Sequence, residues 1–162
     1  MTLSDEQIAE LEAVRAKLEV RMVEKPRRYQ HSLGVAKTAY EIAHAYDVDC
    51  FSAALAGLLH DWDKVLDDHE LLVRAAQYGV RVAGSPSAAV GLLHGPVASY
   101  ELPHIFEGID ASVCQAVARH TVGAVDMTPL DMVVFVADAI EPGRHGDYAG
   151  RPGTMGGETC RK

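Results

Sequence analysis

Hydrophobic residues recur at helical spacing from the start of the chain. The first apolar positions are Leu3, Ile8, Leu11, Val14, Leu18 and Met22. This is the three-to-four-residue period of a helix with one buried face. Ser4 and Gln7 match a capping box, and the helix must end before Pro26. The pattern predicts an N-terminal amphipathic helix within residues 1–26, packed outside any site because it carries no histidine.

The same periodicity predicts helices along the rest of the chain. They cover about residues 28–46, 51–60, 68–78, 88–94, 110–120 and 129–140. The segment FSAALAGLLH is apolar nearly all round, so we expect it to be a central, buried helix. We expect Gly95-Pro96 to interrupt a helical run that continues to about Glu101. Thr128-Pro129 followed by Asp131 combines a cap, a first-turn proline and a first-turn acid, which favours a helix start there.

Composition supports an all-α fold. The chain has 162 residues, of which 48% are hydrophobic and 6% are aromatic. This length suits one domain with a real core. Strand-like alternation does not form a credible run, and the segment VVFVA lies behind helix-start signals. We therefore predict a single helical bundle.

Charge and cysteine content exclude several classes of protein. The formal net charge of −8 disfavours nonspecific binding to nucleic acid or to anionic membranes. The start of the chain does not resemble a signal peptide, and no segment has the ~20 apolar residues of a membrane span. The three cysteines are far apart and form no metal-type pair. We expect a reduced, cytoplasmic protein without nucleic-acid or membrane partners.

His60 and Asp61 are the most informative residues, because they end the most apolar helix. A buried carboxylate without a partner is costly, and coordination of a metal ion removes that cost. Adjacent helical residues point ~100° apart, so one ion can reach both side chains. The second carboxylate oxygen then faces a second ion. Ion pairing of Asp61 with Lys64 is the structural alternative.

Four further residues repeat this pattern. Asp138 lies in the apolar run FVADAI, His31 lies on a helix beside the predicted core, and His94 and His120 each close an apolar run. Each alone is better explained by a hydrogen bond or an ion pair, such as Asp138 with Arg144. The order H…HD…H…H…D favours a metal site, and imidazole with carboxylate suits iron, manganese, zinc or cobalt. Ligation is not expected from the remaining histidines, which are His44, His69, His104 and His145.

This order of residues resembles the HD-domain phosphohydrolases. The strings RRYQHSLGVAKTA, AALAGLLHDWDK, LLHGPVA, ARHTVG and FVADAIEPGR are similar to those of YqeK-type HD proteins, and the resemblance covers about residues 27–144. It implies an HD domain over 27–144, a dinuclear metal site, usually of iron, and symmetrical hydrolysis of diadenosine tetraphosphate to two ADP. It also suggests a homodimer. Manganese or cobalt are alternatives to iron.

The resemblance also implies the metal ligands. They fall on His31, His60, Asp61, His94, His120 and Asp138. The first ion would be held by His31, His60, Asp61 and Asp138, and the second by His94 and His120 with Asp61 as the bridge. Past the EPGR string, residues 145–162 do not read as the helical stretch with which family members continue. We expect a disordered tail there.

Catalysis and substrate binding need further residues near these ligands. We predict catalytic roles for His60, Asp61, Asp63 and Lys64, with Asp63 orienting water or acting as a general acid. The predicted substrate-binding residues are Arg28, Lys64, Thr121, Gly123 and Arg144. Trp62 is expected either to stack on a base or, better, to pack in the core. Two other functions stay open: an HD phosphohydrolase for another nucleotide, and a non-catalytic, metal-stabilised interaction module.

Overall fold

The computed structural model describes residues 2–81 and 84–143, and these form helices without a strand. The α-helices are α1 (Asp5–Arg21), α2 (Pro26–Ala45), α3 (Cys50–Leu59), α4 (Asp68–Gln77), α5 (Pro86–Ala89), α6 (His94–Ile105), α7 (Ala111–Arg119) and α8 (Pro129–Ile140). A short 3₁₀ helix, Val90–Leu92, joins α5 to α6. The predicted all-α fold is confirmed. The predicted tail, 145–162, lies outside the described residues.

Helix α3 is the centre of the bundle, as its sequence predicts. It packs against α1, α2, α7 and α8. Its residues Ala53, Ala56 and Leu59 are fully buried. The closest approach is to α2, because a Cβ atom on Gly57 would lie 2.6 Å from the Cα atom of Ala36. The absence of a side chain at Gly57 therefore lets the two helices touch at backbone distance.

A second, smaller core lies beside this bundle. Leu71 and Ala75 of α4 pack there with Val90, Leu93 and Val97. The same elements, α4, the 3₁₀ helix and α6, contact one another. They form a layer that holds the start of α6 next to α7, and thereby fixes the position of His94.

Local capping signals set the ends of several helices. Ser4 and Gln7 form the predicted capping box of α1, and Thr128 and Asp131 form one at α8. Asp110 caps α7 by accepting a hydrogen bond from the backbone N–H of Ser112. Each bond satisfies a backbone donor that the helix itself leaves without an acceptor.

The predicted break at Gly95-Pro96 is wrong. Helix α6 begins at His94 and runs through both residues. A proline in the first turn costs no intrahelical hydrogen bond, because the backbone N–H groups there have no acceptor within the helix. Gly95 is needed for packing, since a Cβ atom there would lie 2.6 Å from the carbonyl oxygen of Val117.

Among the described residues, no helix is both long and apolar enough to cross a membrane.

Candidate metal centre

The bundle brings all six predicted ligand residues together from five helices. His31 lies inside α2, and His60 and Asp61 follow the end of α3. His94 begins α6, His120 directly follows α7, and Asp138 lies in the last turn of α8. His60, Asp61, His94 and His120 are almost completely buried. Three helix ends, the interior of α2 and the last turn of α8 thus converge on one point at the end of the central helix.

Asp61 is the hub of this cluster. Its Oδ1 atom lies 3.1 Å from Nε2 of His94 and 3.7 Å from Nε2 of His120. Its Oδ2 atom lies 3.4 Å from Nε2 of His60 and 2.7 Å from Nη1 of Arg28. The two carboxylate oxygens therefore face different neighbours, which is the geometry a bridging ligand requires.

Asp138 and His31 form the other side of the cluster. The Oδ1 atom of Asp138 lies 3.0 Å from Nε2 of His31 and 3.7 Å from Nε2 of His60. The Nε2 atoms of His94 and His120 are 3.1 Å apart. The side chains form two overlapping groups with metal-ligand spacing: His31, His60 and Asp138; and His60, Asp61 and His120. His60 belongs to both groups.

Backbone carbonyls fix the tautomers of three of the histidines. The Nδ1 atom of His60 lies 2.7 Å from the carbonyl oxygen of Gly57. The equivalent distances are 3.1 Å from His94 to Gly91 and 2.6 Å from His120 to Val117. A carbonyl only accepts, so each Nδ1 atom carries a hydrogen, and in its neutral form each imidazole offers the lone pair of its Nε2 atom to the cluster. This is the usual arrangement of metal-binding histidine.

The cluster fits a metal ion better than it fits a set of ordinary hydrogen bonds. The Nε2 atom of His60 is buried and has no hydrogen-bond partner within the described part of the chain. Buried polar atoms of this kind normally have a partner, and a divalent cation among these nitrogen and oxygen donors would supply one.

Burial and neighbouring charges act in opposite directions on the ionisable groups of the cluster. Burial alone would raise the pKa of Asp61, but the positive charge of protonated His60 and the contacts with His120 and His94 hold that pKa well below its usual value. Burial works to lower the pKa of His60, and the Asp61 carboxylate outweighs it, so this pKa is raised. Burial lowers the pKa of His94, with the Asp61 carboxylate opposing the shift. The carboxylate therefore stays ionised as a ligand should.

A cavity of roughly 870 Å³ opens above the cluster, and its lining is chemically mixed. Arg27, Arg28 and Lys64 contribute positive charge to the lining, while Leu92 and Phe135 contribute apolar surface. Burial lowers the pKa of Lys64 from its usual value. The cavity thus joins a polar floor to both cationic and apolar groups, as a site for an organic phosphate would.

The structure brings some of the predicted catalytic and binding residues to this cavity. Arg28, Lys64 and Thr121 line it. The buried Oγ1 atom of Thr121 forms no hydrogen bond to any described residue. Gly123 does not line the cavity. It adopts a positive φ of 68° beside Met127 and Phe135, so it shapes the turn after α7. Arg144 lies outside the described residues.

Asp63 lies away from the cluster, contrary to the role predicted for it. Its Oδ1 atom lies 2.5 Å from Nη2 of Arg21, and its side chain is fully buried. In the turn after α3 the side chain of Asp63 points towards α1, whereas that of Asp61 points towards the cavity. Trp62 packs edge-on against Phe106 in the core. Core packing was the preferred prediction for this residue, and stacking on a base was the alternative.

The histidines not expected to ligate stay outside the cluster. His44, His69 and His104 are exposed, and His145 lies outside the described residues.

The sequence interpretation missed Glu141, whose Oε2 atom lies 3.1 Å from Nδ1 of His31. It also missed Leu92 and Phe135 as cavity walls. The one sequence signal for Glu141 was an acid directly after the helix that carries Asp138.

Curated proteins resemble this chain in sequence. The chain is 39% identical over 120 residues to "Bis(5'-nucleosyl)-tetraphosphatase, symmetrical" of Staphylococcus aureus, covering 73% of this chain and 60% of that protein. It is 36% identical over 121 residues to the protein of the same name from Halalkalibacterium halodurans, covering 72% of this chain and 62% of that protein. The chain therefore spans less than two thirds of the length of these curated relatives.

A solved structure extends the likeness to the fold. A predicted HD superfamily hydrolase involved in NAD metabolism from Clostridium acetobutylicum superposes with a TM-score of 0.75 at 32% identity. The match covers 84% of this chain and 71% of that one. The family model described as "HD domain" matches residues 28–143, which hold all six clustered ligand candidates. The chain belongs to the HD-domain family.

Proposed function

We propose that the protein is a metal-dependent phosphohydrolase that splits diadenosine tetraphosphate symmetrically into two ADP. The observation that carries the proposal is the contact of one buried carboxylate, Asp61, with His60, His94 and His120 on the floor of a cavity with cationic walls. The names of the curated relatives supply the substrate class and the symmetrical outcome. Divalent metal dependence follows from membership of the HD-domain family together with the cluster.

Two divalent ions are proposed for the cluster, with iron as the first candidate and manganese or cobalt as alternatives. His31, His60, Asp61 and Asp138 would hold one ion, and His94 and His120 would hold the other with Asp61 as the bridge. When bound, such ions lower the pKa of water and neutralise phosphoryl charge. The mixture of imidazole and carboxylate donors supports these metals.

The residues on the cavity walls suit a polyphosphate. Arg28 has a guanidinium that can form two parallel hydrogen bonds to phosphate oxygens. Lys64 adds a second, partly buried cation. Its flexible side chain can place the ammonium group against a phosphate oxygen. Thr121 lines the same cavity, and its buried hydroxyl has no hydrogen-bond partner among the described residues. These three residues would orient the phosphates over Asp61.

The apolar residues of the cavity lining suit the nucleoside. Phe135 is 37% exposed, Leu92 is 46% exposed, and both line the cavity. A purine can stack on an aromatic ring at the edge of a site whose floor binds phosphate. The cationic and the apolar residues of the lining would therefore contact different parts of the same substrate. A cytoplasmic location and a homodimer stay predictions.

Product analysis tests this proposal. The protein is loaded anaerobically with Fe²⁺, and in parallel with Mn²⁺ or Co²⁺, and diadenosine tetraphosphate is added. Ion-exchange chromatography then separates the products. We expect ADP alone. If the products are AMP and ATP, the protein is still a metal-dependent hydrolase, but the symmetrical cleavage is overturned. Metal binding without turnover would overturn the assignment of diadenosine tetraphosphate as the substrate. It would favour another nucleotide or a metal-stabilised interaction module.

A further inference from the structure

Glu141 is a buried carboxylate next to the cluster, and it is neither a proposed metal ligand nor a proposed substrate-binding residue. It directly follows α8 and is 7% exposed. Its Oε2 atom lies 3.1 Å from Nδ1 of His31. Its Oε1 atom accepts a hydrogen bond of 2.6 Å from the backbone N–H of Gly143. Both oxygens therefore have partners, and one partner is a clustered histidine.

The chain leaves room for this carboxylate on α2. Gly34 lies three residues after His31, on the same face of the helix. A Cβ atom on Gly34 would lie 2.6 Å from Cδ of Glu141. Any side chain at this position would push the glutamate away, so the glycine is required for the contact between Glu141 and His31.

His31 needs such a partner because of its place in the fold. His60 and His120 directly follow helices, and their Nδ1 atoms bond to carbonyl oxygens in the last turn of the helix. Those carbonyls have no intrahelical partner. His31 lies inside α2, which runs from Pro26 to Ala45, so the carbonyls around it already accept helical hydrogen bonds. In the structure its Nδ1 atom is paired instead with a carboxylate from outside α2, that of Glu141.

We propose that Glu141 is a positioning residue for His31. By accepting the hydrogen on Nδ1, it fixes the imidazole ring so that Nε2 faces the ion that His31, His60 and Asp138 would share. Partners of this kind commonly change metal affinity by about 10–100-fold. The inference rests on the metal site of the proposed function, and it adds that one of the two ions depends on Glu141.

Glu141→Gln tests this role with little change in volume. The donors of His31 and Gly143 face different oxygens of Glu141, and in glutamine one of these two positions becomes an NH₂ donor that cannot accept. We expect the affinity of one Mn²⁺ ion, measured by equilibrium dialysis, to fall about 10–100-fold while the other stays unchanged. The melting temperature of the metal-free variant should match that of the wild type. Glu107→Gln, at an exposed glutamate, is the matched control and should leave both affinities unchanged.

Gly34→Ala approaches the same contact from the other side. It leaves Glu141 in the sequence and displaces its carboxylate. The affinity for the same ion should therefore fall, while circular dichroism reports a folded protein. If the wild type binds two ions and Glu141→Gln binds them equally tightly, the role of Glu141 is overturned and the metal site stands. If the wild type binds no metal, the proposed function fails first.

Discussion

The Nη1 atom of Arg28 lies 2.7 Å from Oδ2 of Asp61, so a cavity-lining cation touches the carboxylate at the centre of the cluster. Arg28 lies on α2, and Asp61 follows α3. The close packing of these two helices therefore joins the candidate ligands to a group suited to binding phosphate.

Replacing Arg28 with Gln should impair substrate binding more than metal binding. Hydrogen bonds to charged groups contribute about 1.5–3 kcal/mol, so kcat/KM for diadenosine tetraphosphate should fall roughly 10–150-fold. Metal content should remain that of the wild type. Arg27→Gln removes an exposed cation of the same cavity and should cost less than about fivefold. Equal losses in both variants would contradict a specific role for Arg28.

Phe135→Ala should raise KM for the dinucleotide. Stacking of a base on an aromatic ring contributes about 1–3 kcal/mol, which corresponds to roughly 5–150-fold. Steady-state kinetics on diadenosine tetraphosphate would measure the change. Met132→Ala is the matched control, since Met132 is exposed on the same helix and does not line the cavity. An unchanged KM in Phe135→Ala would place the base elsewhere.

Gly57→Ala should damage the fold and the cluster together. The added Cβ atom would meet the backbone of Ala36, and the carbonyl oxygen of Gly57 holds Nδ1 of His60. Overpacking against backbone costs about 1–3 kcal/mol or more. Urea denaturation would measure the loss of unfolding free energy. Gly91→Ala, with nothing within 4 Å of the added Cβ atom, should stay within about 0.5 kcal/mol of wild type.

Asp63 should make stability fall as the pH rises. Burial, together with the charge of Glu101, raises the pKa of Asp63 from 3.8 to about 7, against the opposing effect of Arg21. The folded state thus holds this proton more tightly than the unfolded state does. The resulting stabilisation is complete below pH 3.8 and is lost as the pH rises towards about 7.

Asp63→Asn removes this titration. In metal-free buffer, the unfolding free energy of wild type should lose roughly 1–3 kcal/mol more than that of the variant between about pH 4 and pH 8. Urea denaturation at a series of pH values compares the two proteins. Parallel pH curves would show that Asp63 does not titrate in this range.

Local signals made most of the fold predictable. The boxes at Ser4 and Thr128 and the cap at Asp110 act within three residues, so the sequence displays them directly. The start of α6 was mispredicted because Gly95-Pro96 is a break signal in general but is compatible with a first turn. That choice depends on packing against α7, which no local pattern encodes.

The candidate ligands were predictable for a different reason. His60 and Asp61 end an apolar helix, where polar side chains need a partner, so their chemistry conflicts with their surroundings in the sequence itself. Glu141 gave no such conflict, since an acid after a helix is ordinary, and its partner His31 is 110 residues away in the chain. Asp63 was misassigned because the direction of a side chain in the turn after α3 depends on the position of Arg21.

The most direct test follows metal and turnover in the same samples. Metal-stripped protein is titrated with Mn²⁺, and bound metal per chain and ADP formation from diadenosine tetraphosphate are measured at each step. Wild type should be inactive without metal and should gain activity as bound metal approaches two ions per chain. His60→Ala, folded by circular dichroism, should lose both. Undiminished turnover in metal-stripped protein or in His60→Ala would contradict a metal-dependent hydrolase centred on this cluster.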